Sequence, residues 1–513
     1  MSKEIKSISL GAAGFNGLNT MDSPLQVNVD FADTANNAVI DNYGRLAARK
    51  GFTDISASNT LLGGYKLRQI EAWDNDGTEV LFGVGNQKIF RMDTTTDDKD
   101  TLTDITMPVT QATTNTNEWQ IVPFNQKLYF FHKGLQAVMM DSTNNAVPEV
   151  TGIGISGGLP LAGTAIAAYG RLWAGDIPGE EGYVYWSNDS DGDSWNGVGS
   201  GNINLDDVWP HGSDKVVGLA AHNNRLVIFG ENSFLVYSGA DNPATMALED
   251  AVSGTGCAFR DSIQHTGEDI IWCSYTGIKS LSRTVLQNTL PEGDLTVNVR
   301  RNIQNHIKAE TIGVKSVFSH EEMCYLITFE SAETTYYIDF KSTLPDQTRK
   351  VTIWPSSPFT CFHRGYSDAI LYTGNAVGLG KYAGYKDSGE NYRFQYYGPA
   401  FDFGDASRTK ILKKISPTIV GGTSTETTVY WGYGFSGTYE SEVLTLTGDA
   451  AIAEYNIAQF GIGQYTAGIS IVDEAVNTTG SGEVVRIGIG ADINGSEFSL
   501  QQVRVQVLMG RIV

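Results

Sequence analysis

The residue sets from which catalytic sites are built occur in this sequence only as fragments. Gly152-Ile153-Gly154-Ile155-Ser156-Gly157-Gly158 has the spacing of both a phosphate-cradling GxGxxG loop and a GxSxG nucleophile turn. Either chemistry needs a helix directly afterwards, whose first amides hold a phosphate or present the serine. Here Leu159-Pro160 follow, after a Val150-Thr151 edge, and in a chain with 57 glycines the stretch reads as an inter-blade linker. The seven histidines, His132, His211, His222, His265, His306, His320 and His363, never recur at i+4, and no HExxH is present. The four cysteines, Cys257, Cys273, Cys324 and Cys361, lie at least sixteen positions apart. That spacing excludes a CxxC zinc clip, gives no sign of a disulfide framework, and reads as buried thiols of a protein made in a reducing cytosol.

One loop is richer. In Tyr185-Trp186-Ser187-Asn188-Asp189-Ser190-Asp191-Gly192-Asp193-Ser194-Trp195, three aspartates take the first three ligand positions of a calcium loop. Ser194 then stands where the loop needs Gly, and Ser200 where it needs a bidentate Glu. The other reading is a folding turn, in which Asp and Ser side chains bond nearby amides and Trp195 packs back on its sheet. The same loop resembles the sialidase Asp-box, with one extra residue between Asp189 and Gly192; in that family the box is structural. The sequence therefore assigns no catalytic residue, no cofactor-binding residue and no metal ligand, and the expected class is non-enzymatic. Distant residues gathered at a channel mouth would escape such a search.

The elements that would carry any site are strands. Gly and Pro together number 71 while charged residues are 18% of 513, a mixture that suits many short strands better than long helices. Seven apolar hairpins recur: 80–82 with 87–92, 127–131 with 135–140, 171–173 with 183–186, 225–229 with 234–237, 270–273 with 278–281, 324–328 with 335–339, and 370–372 with 377–382. Anchored on Leu81, Leu128, Leu172, Leu226, Ile270, Tyr325 and Leu371, the gaps are 47, 44, 54, 44, 55 and 46 residues. Four-stranded propeller blades need about 40 to 50 residues each. A blade has two apolar faces, and stacking around a ring covers both while shielding the edges. Within hairpin 225–238 the segment Gly230-Glu231-Asn232 reads as a turn able to take positive φ.

The expected fold is all-β: a β-propeller of six or seven blades over residues 61–390, a C-terminal β-sandwich over 391–513, and an N-terminal arm over 1–60 that lends a strand to the ring or to a neighbour. Val299, Ile303 and Ile307, at i, i+4 and i+8, predict a short helical insertion near 295–310 with Arg300, Arg301 and Lys308 on other faces. In the sandwich, Leu500, Val503, Val505 and Val507 supply an inward face, and Arg408, Lys410, Lys413 and Lys414 read as outward residues of one strand. There is no signal-peptide pattern and no run of about 18 apolar residues, so no membrane span is expected. With 58 acidic against 36 basic residues the net charge is -22, which repels a phosphate backbone and disfavours sequence-reading of DNA.

A set of short motifs falls in order along nearly the whole chain: Gly17-Leu18-Asn19-Thr20, Asp22-Ser23-Pro24, Ala38-Val39-Ile40-Asp41-Asn42, and Gly44-Arg45-Leu46-Ala47-Ala48-Arg49-Lys50-Gly51-Phe52. Val184-Tyr185-Trp186-Ser187 with Asp193 and Trp195 follows, then Phe401-Asp402-Phe403-Gly404-Asp405, the basic strand 410–414 and Gly510-Arg511-Ile512. This series resembles the tail nozzle and tail tubular proteins of short-tailed bacteriophages, with Asp193-Ser194 in place of that family's usual Asp-Pro. The resemblance implies a virion tail protein assembled in the host cytoplasm, a homo-oligomeric ring, commonly a hexamer, below the portal and adaptor, contacting tail fibres, with genomic DNA passing through the channel without sequence-specific binding. It carries no catalytic set and no cofactor. An acidic lining would keep DNA mobile, and the net charge is compatible with one. Two other classes compete: a tail-associated carbohydrate-binding or glycan-hydrolysing propeller, and a cellular propeller scaffold, which leaves the opening motifs without a reason.

Overall fold

The structure, a computed structural model, describes residues 5–55, 62–75, 78–86, 88–92, 102–105, 119–135, 137–141, 158–287, 293–366, 369–375, 378–422, 425–435, 437–446 and 471–512. The Gly152-to-Gly157 stretch, Gln87, Val377 and Ile469 lie outside the described residues.

All seven expected hairpins form the second and third strands of antiparallel blades, two of which have three strands among the described residues. The first strands of these sheets are Leu67–Asn75, Gln120–Phe124, Thr164–Ala168, Val216–His222, Gln264–His265, Val314–Ser319 and Cys361–Arg364. Each touches the first strand of the next sheet, except that the fourth reaches the fifth through the 3-10 turn Arg260–Ser262, and the seventh touches the first. The ring thus closes with seven blades, numbered here in chain order. Alternation of side chains across a strand splits each blade's apolar residues between its two neighbours. In the blade 1 strand Thr78–Gly85, Val80, Phe82 and Val84 pack with Leu128 and Phe130 of blade 2, whereas Leu81 packs with Tyr372 and Leu379 of blade 7. Trp173 and Val184 of blade 3 pack likewise with Leu226 and Ile228 of blade 4.

Two-residue turns join the first and second strands of blades 2, 3 and 4, with positive φ at Asn125-Gln126, Tyr169-Gly170 and Asn223-Asn224. That geometry matches the strand twist. The turn expected at 230–232 differs. Gly230 ends a strand, and Glu231-Asn232 turn without positive φ because the Asp214 carboxylate accepts both their amides, at 3.0 and 2.9 Å, and the Ser233 hydroxyl at 2.7 Å.

The N-terminal segment is distributed rather than separate. Phe52–Asp54 is the fourth strand of blade 7, beside Leu379–Tyr382. Thr34–Asn36 pairs in parallel with the outer strand of blade 6, Arg349–Trp354, and antiparallel with Tyr392–Tyr397. Blade 6 thereby continues into one sheet of the sandwich, through Val485–Ile493, Glu426–Tyr433 and Glu440–Thr445. The opposing sheet is built on the long strands Arg408–Gly421 and Phe498–Ile512, with Ile5–Leu10 and the hairpin Ala38–Ile40/Leu46–Ala48 added. Leu500, Val503, Val505 and Val507 all point inward and are fully buried; a bulge at Gln501 switches the facing parity between Leu500 and Val503. They meet Phe394, Tyr396, Ile487 and Ile489 of the other sheet in one apolar core. Two helices lie between blades 5 and 6, α1 (Leu281–Gln287) and α2 (Arg300–Ala309), and Val299, Ile303 and Ile307 bury the predicted stripe in that same core. No helix among the described residues is long and apolar enough to cross a membrane.

Candidate functional site at the propeller axis

The first strand of blade 5 is two residues long, so the chain just before it turns into the ring's centre and brings Arg260 there. The guanidinium donates to its neighbour Asp261 at 2.6 and 3.0 Å, to the Trp119 carbonyl of blade 2 at 2.9 Å, and to the Gly163 carbonyl that precedes the first strand of blade 3. Lys315 of blade 6 donates to the same Asp261 carboxylate, and Ser316 to the Asp261 carbonyl at 2.7 Å. Burial alone would raise the Asp261 carboxyl; the Arg260 and Lys315 charges outweigh it and hold it at about 2. Four blades are therefore tied across the axis by one ion cluster.

This cluster divides the axial space. On one side lies a cavity of about 380 Å3 whose walls include Lys133, Asp176, Lys215 and Tyr275. On the other lies one of about 400 Å3 to which all seven blades contribute, for example through Arg68, Gln120, Thr164, Leu219, Gln264 and Lys315, with Cys361 from blade 7. Arg260 and Asp261 line both. They form a septum.

Around the second cavity the polar groups are paired unevenly. Arg68 donates from Nη1 to Glu330 at 2.7 Å, whereas its Nε is buried with no hydrogen-bond partner. Glu71 sits 3.6 Å from His363 Nδ1 and accepts the Tyr366 hydroxyl at 3.3 Å; burial pushes its carboxyl up to about 8. Arg364 forms a two-pronged pair with Glu321 at the rim. Cys361 borders the cavity, but burial raises its thiol to about 12, which removes the thiolate a nucleophile would need.

The residues singled out from sequence hold the fold together. Trp195 is buried between blades 2 and 3 and donates to the Gly192 carbonyl at 2.8 Å. Asp193 accepts from Lys127 and Tyr129 of blade 2, while Asp191 accepts the Asp193 amide at 3.1 Å. The aspartate loop is a folding turn. Among the described residues no group of three or more His, Cys, Asp or Glu is placed to hold a metal ion. Ser187 accepts the Leu172 amide at 3.0 Å. Gly17 has φ +79, and a side chain there would lie 2.6 Å from the Val351 carbonyl. Leu18 donates to that carbonyl, and Thr20 bonds Asn298 and Asn302 beside and within α2. Arg49 is buried, donates to Asn37 and in two prongs to Asp387, and lies 4.3 Å over the Tyr392 ring. In the basic strand Lys413 and Lys414 are exposed, but Lys410 is fully buried, its ammonium donating to the Asp405 carbonyl, so it corrects the expectation of an outward residue. All four cysteines are buried and unpaired.

Sequence motifs missed the axial cavity because its lining residues come from seven blades scattered over residues 68–366. A usable signal was present: polar residues in the strand before several of the apolar hairpins, such as Arg68, Gln69 and Glu71, Gln120, or Lys315 and Ser316.

No family model matches the chain, and no curated protein matches it. Among solved structures, the WD40 domain of Neurospora crassa Pan2 is similar at 8% identity and TM-score 0.38, covering 61% of this chain and 87% of that one. YCF48 from Cyanidioschyzon merolae is similar at 12% identity and TM-score 0.37, covering 62% and 96%. The assignment of the fold rests on the strand pairing and ring closure described above, and the chain is a seven-bladed β-propeller joined to a β-sandwich.

Proposed function

We propose that this chain is a virion structural protein, a nozzle-like ring component of a short phage tail that forms part of the DNA exit channel and attaches to an adaptor above it. The observation that supports this reading best is where the ordered motifs fall. Gly17 to Thr20 fasten the arm to blade 6 and α2, Arg49 fastens it to the 387–392 segment, and Lys6 donates to Phe403 at 3.1 Å. These arm residues and Phe403 thus join arm, propeller and sandwich, which suits an architectural part. The septum adds a constraint: the Arg260 cluster closes the propeller's own axis, so in this reading DNA passes between copies of the chain arranged in a ring.

The reading is tested by fractionating infected cells and purified particles and quantifying the chain in each. It predicts a fixed, multiple copy number per particle, released only on tail disruption. A chain confined to the soluble host fraction would overturn it.

A further inference from the structure

The net charge of -22 is spread unevenly over the molecule. Residues 158–209, which make blade 3, hold eight acidic residues and one basic residue. Asp176 and Asp193 are paired with Lys133 and Lys127 of blade 2, whereas Asp189, Asp191, Asp206 and Asp207 are exposed and form no ion pair among the described residues. These four bracket the blade's outer strand, Gly201–Asn204. Asp189 and Asp191 follow the strand end at Trp186, which pairs with Gly201, and Asp206 and Asp207 follow Asn204. Among the described residues no strand pairs with the outer edge of Gly201–Asn204, so blade 3 ends in an acidic rim. The sandwich strands Ile5–Leu10, Arg408–Gly421 and Phe498–Ile512 show the reverse, with seven basic residues and no acidic one. Their inner side chains form the apolar core, and the exposed Lys413, Lys414 and Arg504 lie outside it. Arg504 is paired with Asp473; Lys413 and Lys414 form no ion pair among the described residues. Blade 6 is the one continuous with the sandwich, and in a ring of seven blade 3 stands three places away, as far as the ring allows. The two surfaces of opposite sign are thus at opposite ends of one copy and can neutralise each other only between copies. Complementary charge of this kind steers encounter and fixes register. A contact between two different patches of identical chains is heterologous, and it closes into a ring when its rotation permits.

We propose that the basic outer face of the sandwich, around Lys413 and Lys414, docks on the acidic rim of blade 3 in a second copy of this chain, and that this head-to-tail contact, repeated about an axis, builds the ring. The contact presupposes the ring assembly proposed above and supplies the surfaces that make it.

The test is sedimentation velocity of the purified full chain at low and high salt, repeated on Lys413→Glu with Lys414→Glu, on Asp206→Lys with Asp207→Lys, and on all four reversals in one chain. The expected result is a closed multimer of the unaltered chain that weakens as salt is raised. Either pair of reversals sets like charges against each other and should weaken association by about tenfold or more. All four together restore opposite signs across the contact and should recover association to within about threefold of the unaltered chain. All four side chains are exposed, so the thermal midpoint should stay unchanged and exclude misfolding as the cause. An unaltered chain that stays monomeric, a paired reversal that assembles as the unaltered chain does, or a fourfold reversal no better than the paired ones would each overturn the contact. Duplex DNA bound by the unaltered chain and lost in the Lys413→Glu, Lys414→Glu variant, with the multimer intact, would give the basic face to DNA instead. Copy number per particle is read separately: particles carrying the full complement of that variant would overturn this contact while leaving the virion reading in place.

Discussion

The two interiors of this molecule are built on opposite terms. Between the sandwich sheets, Leu412, Ile415, Val503, Val505 and Val507 face Phe394, Tyr396, Ile487 and Ile489, a continuous apolar layer. At the centre of the ring, the first strands present Arg68, Glu71, Gln264 and Lys315 to one another around Arg260 and Asp261. The reason is geometric. Two sheets face to face can interdigitate, whereas seven strands around an axis leave a space too wide for their side chains to fill. That space is hydrated or bridged, and here long charged side chains bridge it. The sandwich interior supplies cohesion; the ring interior is spanned by ion pairs beside an open space.

Perturbations should separate the two, beginning with the element they share. Deleting residues 1–55 removes the fourth strand of blade 7, the strand linking blade 6 to the sandwich and three strands of the opposing sheet. Aggregation or loss of the native circular-dichroism spectrum is expected; a monodisperse, folded product would show that neither interior needs the arm. Val505→Asp places a charge in the apolar layer and should cost on the order of 4 kcal/mol, read as a drop in the denaturation midpoint with loss of hydrogen-exchange protection first in residues 485–512.

Asp261→Asn leaves Arg260 and Lys315 without their counter-charge and should cost about 3 kcal/mol, with protection lost first around blades 2, 3, 5 and 6. If sandwich peptides open first instead, the axial cluster is not what holds those blades. A smaller effect concerns pH. Asp261, held at about 2 when folded, contributes stability that is fully present above the ordinary carboxylate range and is lost as pH falls through about 2. The loss is about 2 kcal/mol. Glu71 acts in the other direction: raised to about 8, it makes the ring less stable as pH climbs from the ordinary carboxylate range to about 8. Protection factors, corrected for the intrinsic exchange rate at each pH, should therefore vary in the blades and stay flat in peptides 498–509; equal pH dependence in both would contradict the contrast.

How much of this was legible in the sequence follows from the same contrast. Middle blade strands such as Lys127–Phe131 or Cys324–Phe329 are apolar at both parities because both faces meet a neighbouring blade, so seven hairpins stood out. The ring's first strands carry polar residues on their inner face, and Gln264–His265 is two residues long, below what a pattern search can register. The arm was read as a donor of a strand, and Phe52–Asp54 is that strand; the three-residue bridge Thr34–Asn36 had no signal of its own, since its partners lie more than 300 positions away. The aspartate loop was readable as turn or calcium site, and its ties to Lys127 and Tyr129 lie too far off in sequence for a local pattern to show. Lys410 was misread because alternation alone does not reveal that the Asp405 carbonyl waits beneath it.

The proposed function is architectural: we propose that copies of this chain form a wall, with the path for DNA between them and not through any one propeller. Cryo-electron microscopy of intact tails tests it most directly. The account predicts a closed ring of several copies, each propeller axis displaced from the tail axis and blocked by density at Arg260; a propeller coaxial with the tail and open along its centre, or particles without the chain, would contradict it.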